Sequence, residues 1–307
     1  MRQNLAITVG LVFSLGLLMG ASCSKHERDT RDDYDGVGTA LDNTAPPDDT
    51  DTSAEVPGVD VSKLGDREKQ RFGKLINRLQ SPCAKPHSLR KSLTTDESCK
   101  RAPFAARYVR TLVEEDEDDL TVRALYDARY RNPKRVDVDV AGSAKSGAAS
   151  PRVTIIEFFD YGCPHCAAFR SVLDEIVEAY PDDVAVYYKN FPLSGNPNSI
   201  PAARAAIAAD RQGKFHAMHT MLLGNQEQQS VKDILVYAER IGLDMAKFQV
   251  DFNDKDVEAM IARDKQQGID AGVEGTPTLY LNGREYSDPL GAPFLKDWID
   301  EELAVNR

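Results

Sequence analysis

The 307-residue sequence is short of basic charge: 38 Lys and Arg stand against 49 Asp and Glu, for a net charge of −11. That balance argues against nucleic acid as a partner. A comfortable membrane span is missing too, since the apolar stretch from Leu5 to Gly20 falls short of the roughly 20 residues a spanning helix needs. Beside Cys163 and Cys166 there is no second C-x-x-C to complete a structural zinc site. Ala167 stands where a c-type haem attachment requires histidine. His216 and His219 lie one helical turn apart without a Cys, Asp or Glu that evidently completes a metal site, and Ser24 to Asp60 has no calcium-loop spacing. No metal and no other cofactor is expected.

What is present centres on Val153 to Arg170, VTIIEFFDYGCPHCAAFR. The β-branched and aromatic run Val153 to Phe159 reads as a buried strand, broken by Asp160, Tyr161 and Gly162. Cys163-Pro164-His165-Cys166 then opens a helical pattern through Phe169, Val172, Leu173 and Ile176. A dithiol at a helix start is a redox arrangement: unpaired N–H groups and the helix dipole favour a thiolate at Cys163, and a protonated His165 adds to that. Cys166, one turn on, is placed to resolve a mixed disulfide. Glu157 is the one carboxylate inside the apolar strand, where burial without a partner is costly; a half-exposed edge position is the alternative.

EFFDYGCPHC, then VYYKNFPL, then GTPTLYLNG, in that order, resemble the DsbA-type branch of the thioredoxin superfamily from Val153 to about Leu303. The resemblance implies an α/β, thioredoxin-like fold with an inserted helical block. It also implies that Pro277 is a cis-proline facing the cysteines, that Thr276 and Pro277 present backbone to a client chain, and that Glu157 moves protons beneath the dithiol. The helical block is legible as stripes at Phe215, Met218, His219 and Leu222, at Val231, Ile234, Leu235 and Ala238, and from Val257 through Ile261. Asn282-Gly283 reads as a hairpin turn, and Ala292 to Leu303 as a closing helix carrying the single Trp298. Val136 to Val140 is expected to be the first strand, and Gly142 to Ser150 a hinge.

The charged start and short apolar run mark residues 1–22 as a signal peptide. Gly20-Ala21-Ser22-Cys23 resembles the lipobox of bacterial lipoproteins, which implies lipidation of Cys23; cleavage near Ala21 is the alternative. Residues 23–60, rich in Asp and poor in large apolar side chains, read as a disordered acidic tether. Residues 61–135 form a small all-α domain, with stripes at Leu64, Phe72, Leu75, Ile76 and Leu79, at Phe104, Tyr108, Val109 and Leu112, and at Leu120, Leu125, Tyr126 and Tyr130. Its AARYVRTLVEEDEDDLTVRALYDARYRNP segment resembles the helical domain of CcmH-type cytochrome c maturation proteins, although a C-x-x-C is replaced here by the widely spaced Cys83 and Cys99. So thin a core wants a staple, and with Cys23 lipidated and Cys163 paired to Cys166, Cys83 is left for Cys99. A second redox pair is the other reading of those two cysteines.

Residues 136–307 are then the catalytic domain of an envelope thiol–disulfide oxidoreductase on the periplasmic side, most simply an oxidase introducing disulfides into exported proteins. Its partners would be unfolded or partly folded exported proteins and a membrane redox protein that resets the dithiol. An isomerase, a reductase serving cytochrome c maturation, or a non-redox chaperone module are the competing readings.

Overall fold

A computed structural model describes residues 51–306, which fall within one compact unit. The signal peptide, the Cys23 anchor and the first part of the tether lie outside the described residues. Among the described residues, no helix is long and apolar enough to cross a membrane.

The first half is helical for reasons visible at its helix ends. Helix α1 (Asp66–Arg78) begins where Glu68 turns back to accept the Gly65 N–H at 2.6 Å. Helix α2 (Leu89–Thr94) is capped by the Ser88 hydroxyl, α3 (Ala102–Glu114) opens with Pro103, and α4 (Asp119–Tyr126) is capped by the Asp118 carboxylate. A π-helical turn, Asp127–Arg131, continues α4. Phe72, Leu75, Ile76, Leu79, Val109, Leu112, Val122, Tyr126 and Tyr130 close one core. Leu120 departs from the expected stripe: it is 70% exposed, because the Asp118 cap places it on the solvent side of the first turn while Val122 points inward.

Part of the stretch that composition reads as tether is packed. Ala54, Val56 and Val59 are buried in this core, and the Thr52–Ser53 backbone crosses α1 at Gly73. A Cβ on Gly73 would sit 2.0 Å from the Thr52 carbonyl oxygen, so only glycine permits the crossing. Cys83 and Cys99 are joined by a disulfide across a separation of 16 residues. Replacing both with alanine is expected to lower the unfolding free energy by about 3 kcal/mol in urea titration, from lost restraint on the unfolded chain; an unchanged midpoint would show that the helical core needs no staple.

The second half is a five-stranded mixed sheet in the order β1-β3-β2-β4-β5, covered by helices. The strands are β1 (Lys145–Gly147), β2 (Val153–Phe159), β3 (Val184–Asn190), β4 (Thr278–Leu281) and β5 (Arg284–Glu285). Central β2 runs parallel to β3, Val153 opposite Val184, and antiparallel to β4, Glu157 opposite Leu279. Helix α5 (Pro164–Ala179) makes the β2–β3 crossover. Helices α6 (Ser199–Asp210), α7 (Phe215–Leu223), α8 (Val231–Arg240), α9 (Met245–Phe252) and α10 (Lys255–Asp270) are inserted before β4, and α11 (Ala292–Val305) closes the chain. This is the thioredoxin-like α/β fold with helices added at its N-terminal side.

The sheet begins elsewhere than expected. Val136 to Val140 forms no strand; its apolar residues pack on Phe158, Phe191 and Tyr280, and the Val136 N–H bonds the Gly283 carbonyl at 2.8 Å. The edge strand instead lies in the polar segment read as a hinge, with Lys145 paired to Tyr187 and Gly147 to Ala185. Ladder hydrogen bonds to an existing strand need no side-chain pattern, so a three-residue edge in GSAKSGAAS leaves no periodic trace.

The two halves meet through buried charge. The Arg129 guanidinium, with a side chain 1% exposed, bonds the Asp288 carboxylate and donates to Glu301 Oε2 at 2.8 Å, and it lies 4.2 Å from the Trp298 ring centroid. Arg284 adds bonds to Glu302 at 2.6 Å and to the Arg129 carbonyl at 2.8 Å, while Arg101 pairs with Glu301 and Glu302.

Candidate active site

Strand β2 ends at the floor of the site and α5 starts at its mouth. The turn between them is fixed by Asp160, whose buried carboxylate accepts the Gly162 N–H at 2.6 Å, the Ser199 hydroxyl at 2.8 Å and the Leu193 N–H. At Gly162 the Asn196 side chain lies 1.6 Å from the place a Cβ would take, so any larger residue there would have to displace Asn196. Cys163 is the N-cap of α5 with extended backbone (φ −81°, ψ 118°), and its carbonyl accepts the first helical bond from Ala167 at 3.1 Å. Pro164 follows at the first turn, where a missing N–H costs nothing.

The cysteines differ in setting. Cys163 retains 6% exposure and donates its Sγ–H to the Thr276 carbonyl oxygen at 3.2 Å. The Thr276–Pro277 peptide bond is cis, and both residues are half-buried against the dithiol mouth. Cys166 is 1% exposed and a turn deeper; burial, with the Glu157 carboxyl adding to it, pushes its thiol well above the usual range. His165 points outward and is exposed. The two sulfurs are not bonded to each other in this structure.

Glu157 is 2% exposed in the middle of β2, and burial pushes its carboxyl from the usual 4.5 up to about 8. It therefore holds its proton at neutral pH in the folded chain. The sign for stability follows: an acid raised in the folded state takes up a proton on folding between about 4.5 and 8, so native stability falls as pH rises through that window. Wild-type protein is expected to lose a few kcal/mol between pH 5 and pH 8 from this group. Glu157→Gln should flatten that slope and be the more stable of the two at pH 8, by urea unfolding at both pH values. Parallel slopes in the two proteins would refute it.

His219 is buried rather than ligating. Its ring stacks on Phe215 at 5.0 Å, Nδ1 lies 3.1 Å from the Tyr161 hydroxyl, and burial lowers its pKa from 6.5 to about 3, leaving it neutral. His216 is exposed and 3.9 Å from Asp174. The sequence reading gave no role to Asp160, Gln226 or Gln229, all of which grip the active-site turn. Gln226 Nε2 donates to the Tyr161 and Cys163 carbonyls at 2.8 and 2.9 Å, and Gln229 Nε2 to the Tyr161 carbonyl at 3.0 Å. They sit sixty-odd residues away in the polar run Gln226 to Ser230, where no motif or period marks them.

A family profile described as thioredoxin matches residues 140–301, more than half the chain. A thioredoxin-like oxidoreductase from Silicibacter pomeroyi DSS-3 is 31% identical with TM-score 0.50, over 54% of this chain and 96% of that one. Oxidised BdbD from Bacillus subtilis, 22% identical with TM-score 0.51 over 56% and 98% of the two chains, shares the fold. Among curated relatives, the Na(+)/H(+) antiporter NhaA 3 of Salinispora tropica is 34% identical over 173 residues, which are 56% of this chain and 26% of that protein. The chain thus spans about a quarter of the curated relatives it matches. Fold and family match converge: the chain belongs to the thioredoxin family.

Proposed function

We propose that the protein is an envelope oxidase that introduces disulfides into exported proteins. The observation carrying this reading is the layering of the site: the Cys163 sulfur lies at the mouth against the Thr276 carbonyl, with Cys166 and the protonated Glu157 buried behind it.

In the oxidising cycle a client thiolate attacks Cys163 Sγ of the Cys163–Cys166 disulfide. The intramolecular S–S bond breaks, a mixed disulfide forms, and the electron pair leaves on Cys166. Cys166 is a poor leaving group as a bare thiolate because burial disfavours its charge, so a proton handed on from Glu157 eases the step. A second client thiolate then attacks the client sulfur and releases Cys163. The client loses two electrons, and the protein gains them as a dithiol that a membrane redox partner must reoxidise. His165, on the exposed side of the motif, stabilises charge on Cys163, while Thr276 and Pro277 offer backbone to the client. Residues 136–307 carry the chemistry and residues 61–135 a helical domain stapled by Cys83–Cys99. The signal peptide directs export and is removed, and a lipid on Cys23 holds both on the periplasmic side of a membrane.

The test is the equilibrium reduction potential of the Cys163–Cys166 pair against glutathione. A value well above that of thioredoxin, about −270 mV, supports an oxidase or an isomerase, and a monomer by light scattering then counts against the isomerase. A value at or below it overturns the oxidase in favour of a reductase, and a pair that does not titrate leaves only a binding module.

A further inference from the structure

The turn that presents Cys163 is held on its donor side by Asp160 and on its acceptor side by the two glutamine amides from the loop between α7 and α8. The acceptor side is unusual in what it spends. Gln229 is 1% exposed and uses its amide nitrogen twice, on the Tyr161 carbonyl at 3.0 Å and on the Leu222 carbonyl at 2.8 Å, while its Oε1 is buried without a partner. A buried, unpaired amide oxygen costs free energy. The geometry places this side chain for its two donor bonds. Gln226 spans the Tyr161 and Cys163 carbonyls at 2.8 and 2.9 Å, so the Cys163 carbonyl accepts two donors, Gln226 and the Ala167 N–H.

We propose that Gln226 is a positioning residue that tunes the dithiol, with Gln229 locking the same turn to the end of α7. The inference rests on the redox reading of Cys163 and Cys166. The Cys163 carbonyl oxygen carries partial negative charge on the same residue as the sulfur that must accept or release an electron pair. A donor on that oxygen draws the charge away and holds the sulfur toward Thr276, and both effects favour the reduced form. Its removal leaves the disulfide a weaker oxidant.

The test is a series at position 226 read by glutathione equilibrium, with thermal unfolding as a check on folding. Gln226→Met keeps the length and loses both donors; it should make the disulfide about tenfold harder to reduce, which for a two-electron couple is about 30 mV. Gln226→Glu, near-isosteric but placing a carboxylate against two carbonyls, should shift further in the same direction. Gln226→Lys, which keeps a donor and adds positive charge, should shift the other way and make the disulfide easier to reduce than in wild type. Should Gln226→Met fail to fold, the opposite signs of the Glu and Lys variants carry the test. Folded variants with wild-type potentials and altered melting temperatures alone would reduce Gln226 to a structural contact. Shifts of one sign for both Glu and Lys would overturn the inference equally. A wild-type pair that does not titrate would instead be a failure of the redox reading itself.

Discussion

Cys163→Ser is expected to abolish thiol–disulfide exchange with a disulfide-bonded peptide, whereas Cys166→Ser, in which Cys163 attacks the peptide disulfide and one peptide thiolate leaves, should accumulate a long-lived mixed disulfide on Cys163. The asymmetry comes from placement. Cys163 caps α5 at the mouth with its sulfur on the Thr276 carbonyl, and Cys166 is a turn deeper, 1% exposed and held in the thiol form by burial. A client sulfur can reach the first and not the second. With serine at 163 no sulfur is left in reach; with serine at 166 the adduct forms but nothing behind it attacks. Adduct mass and the rate of peptide thiol release check both halves. Residual exchange in Cys163→Ser, or a trapped adduct on Cys166 in that variant, would reverse the assignment. Retained activity in both variants would favour the chaperone reading.

Arg129→Ala is expected to cost about 3–5 kcal/mol of stability at pH 8. Arg129 is enclosed between the helical half and the sheet half, and its loss leaves Asp288 without its bonded cation while Glu301 keeps Arg101 and Arg284. Burial already raises the Asp288 carboxyl to about 6 even beside Arg129. Without that cation it rises further and the residue is neutral by pH 5, so the penalty should shrink at pH 5. Pairing Arg129→Ala with Asp288→Asn should recover part of the loss. Urea unfolding of the single and double variants at both pH values measures this. A pH-independent loss that Asp288→Asn does not relieve would assign the effect to packing on Trp298 alone.

How much of this was legible depended on the range of the interaction. The strand Val153–Phe159, the helix opening at the C-x-x-C, the Ser230 cap of α8 and the Asn282-Gly283 hairpin turn are local patterns, and the chain shows each near where its residues imply. Glu157 was conspicuous because a carboxylate breaks an apolar run. Thr276 and Pro277 needed the family resemblance, since sequence spacing does not bring Thr276 to Cys163 across 113 residues. The grip on the turn was not legible. Asp160 looked only like a strand breaker, and Gln226 and Gln229 bond backbone carbonyls, which carry no residue identity to match. The Arg129, Arg284 and Glu301 network was hidden for a related reason: charged residues on a helix or a short edge strand read as a solvated face until the partner surface is known. Leu120 erred in the opposite direction, an apolar residue on the right period that a cap turned outward.

The most direct test of the account is the pH dependence of alkylation at each cysteine of the reduced protein, resolved by mass spectrometry. The layered site predicts that Cys163 reacts at neutral pH, and that Cys166 stays protected until strongly alkaline conditions or unfolding. Equal rates at the two cysteines, or faster reaction at Cys166, would contradict it.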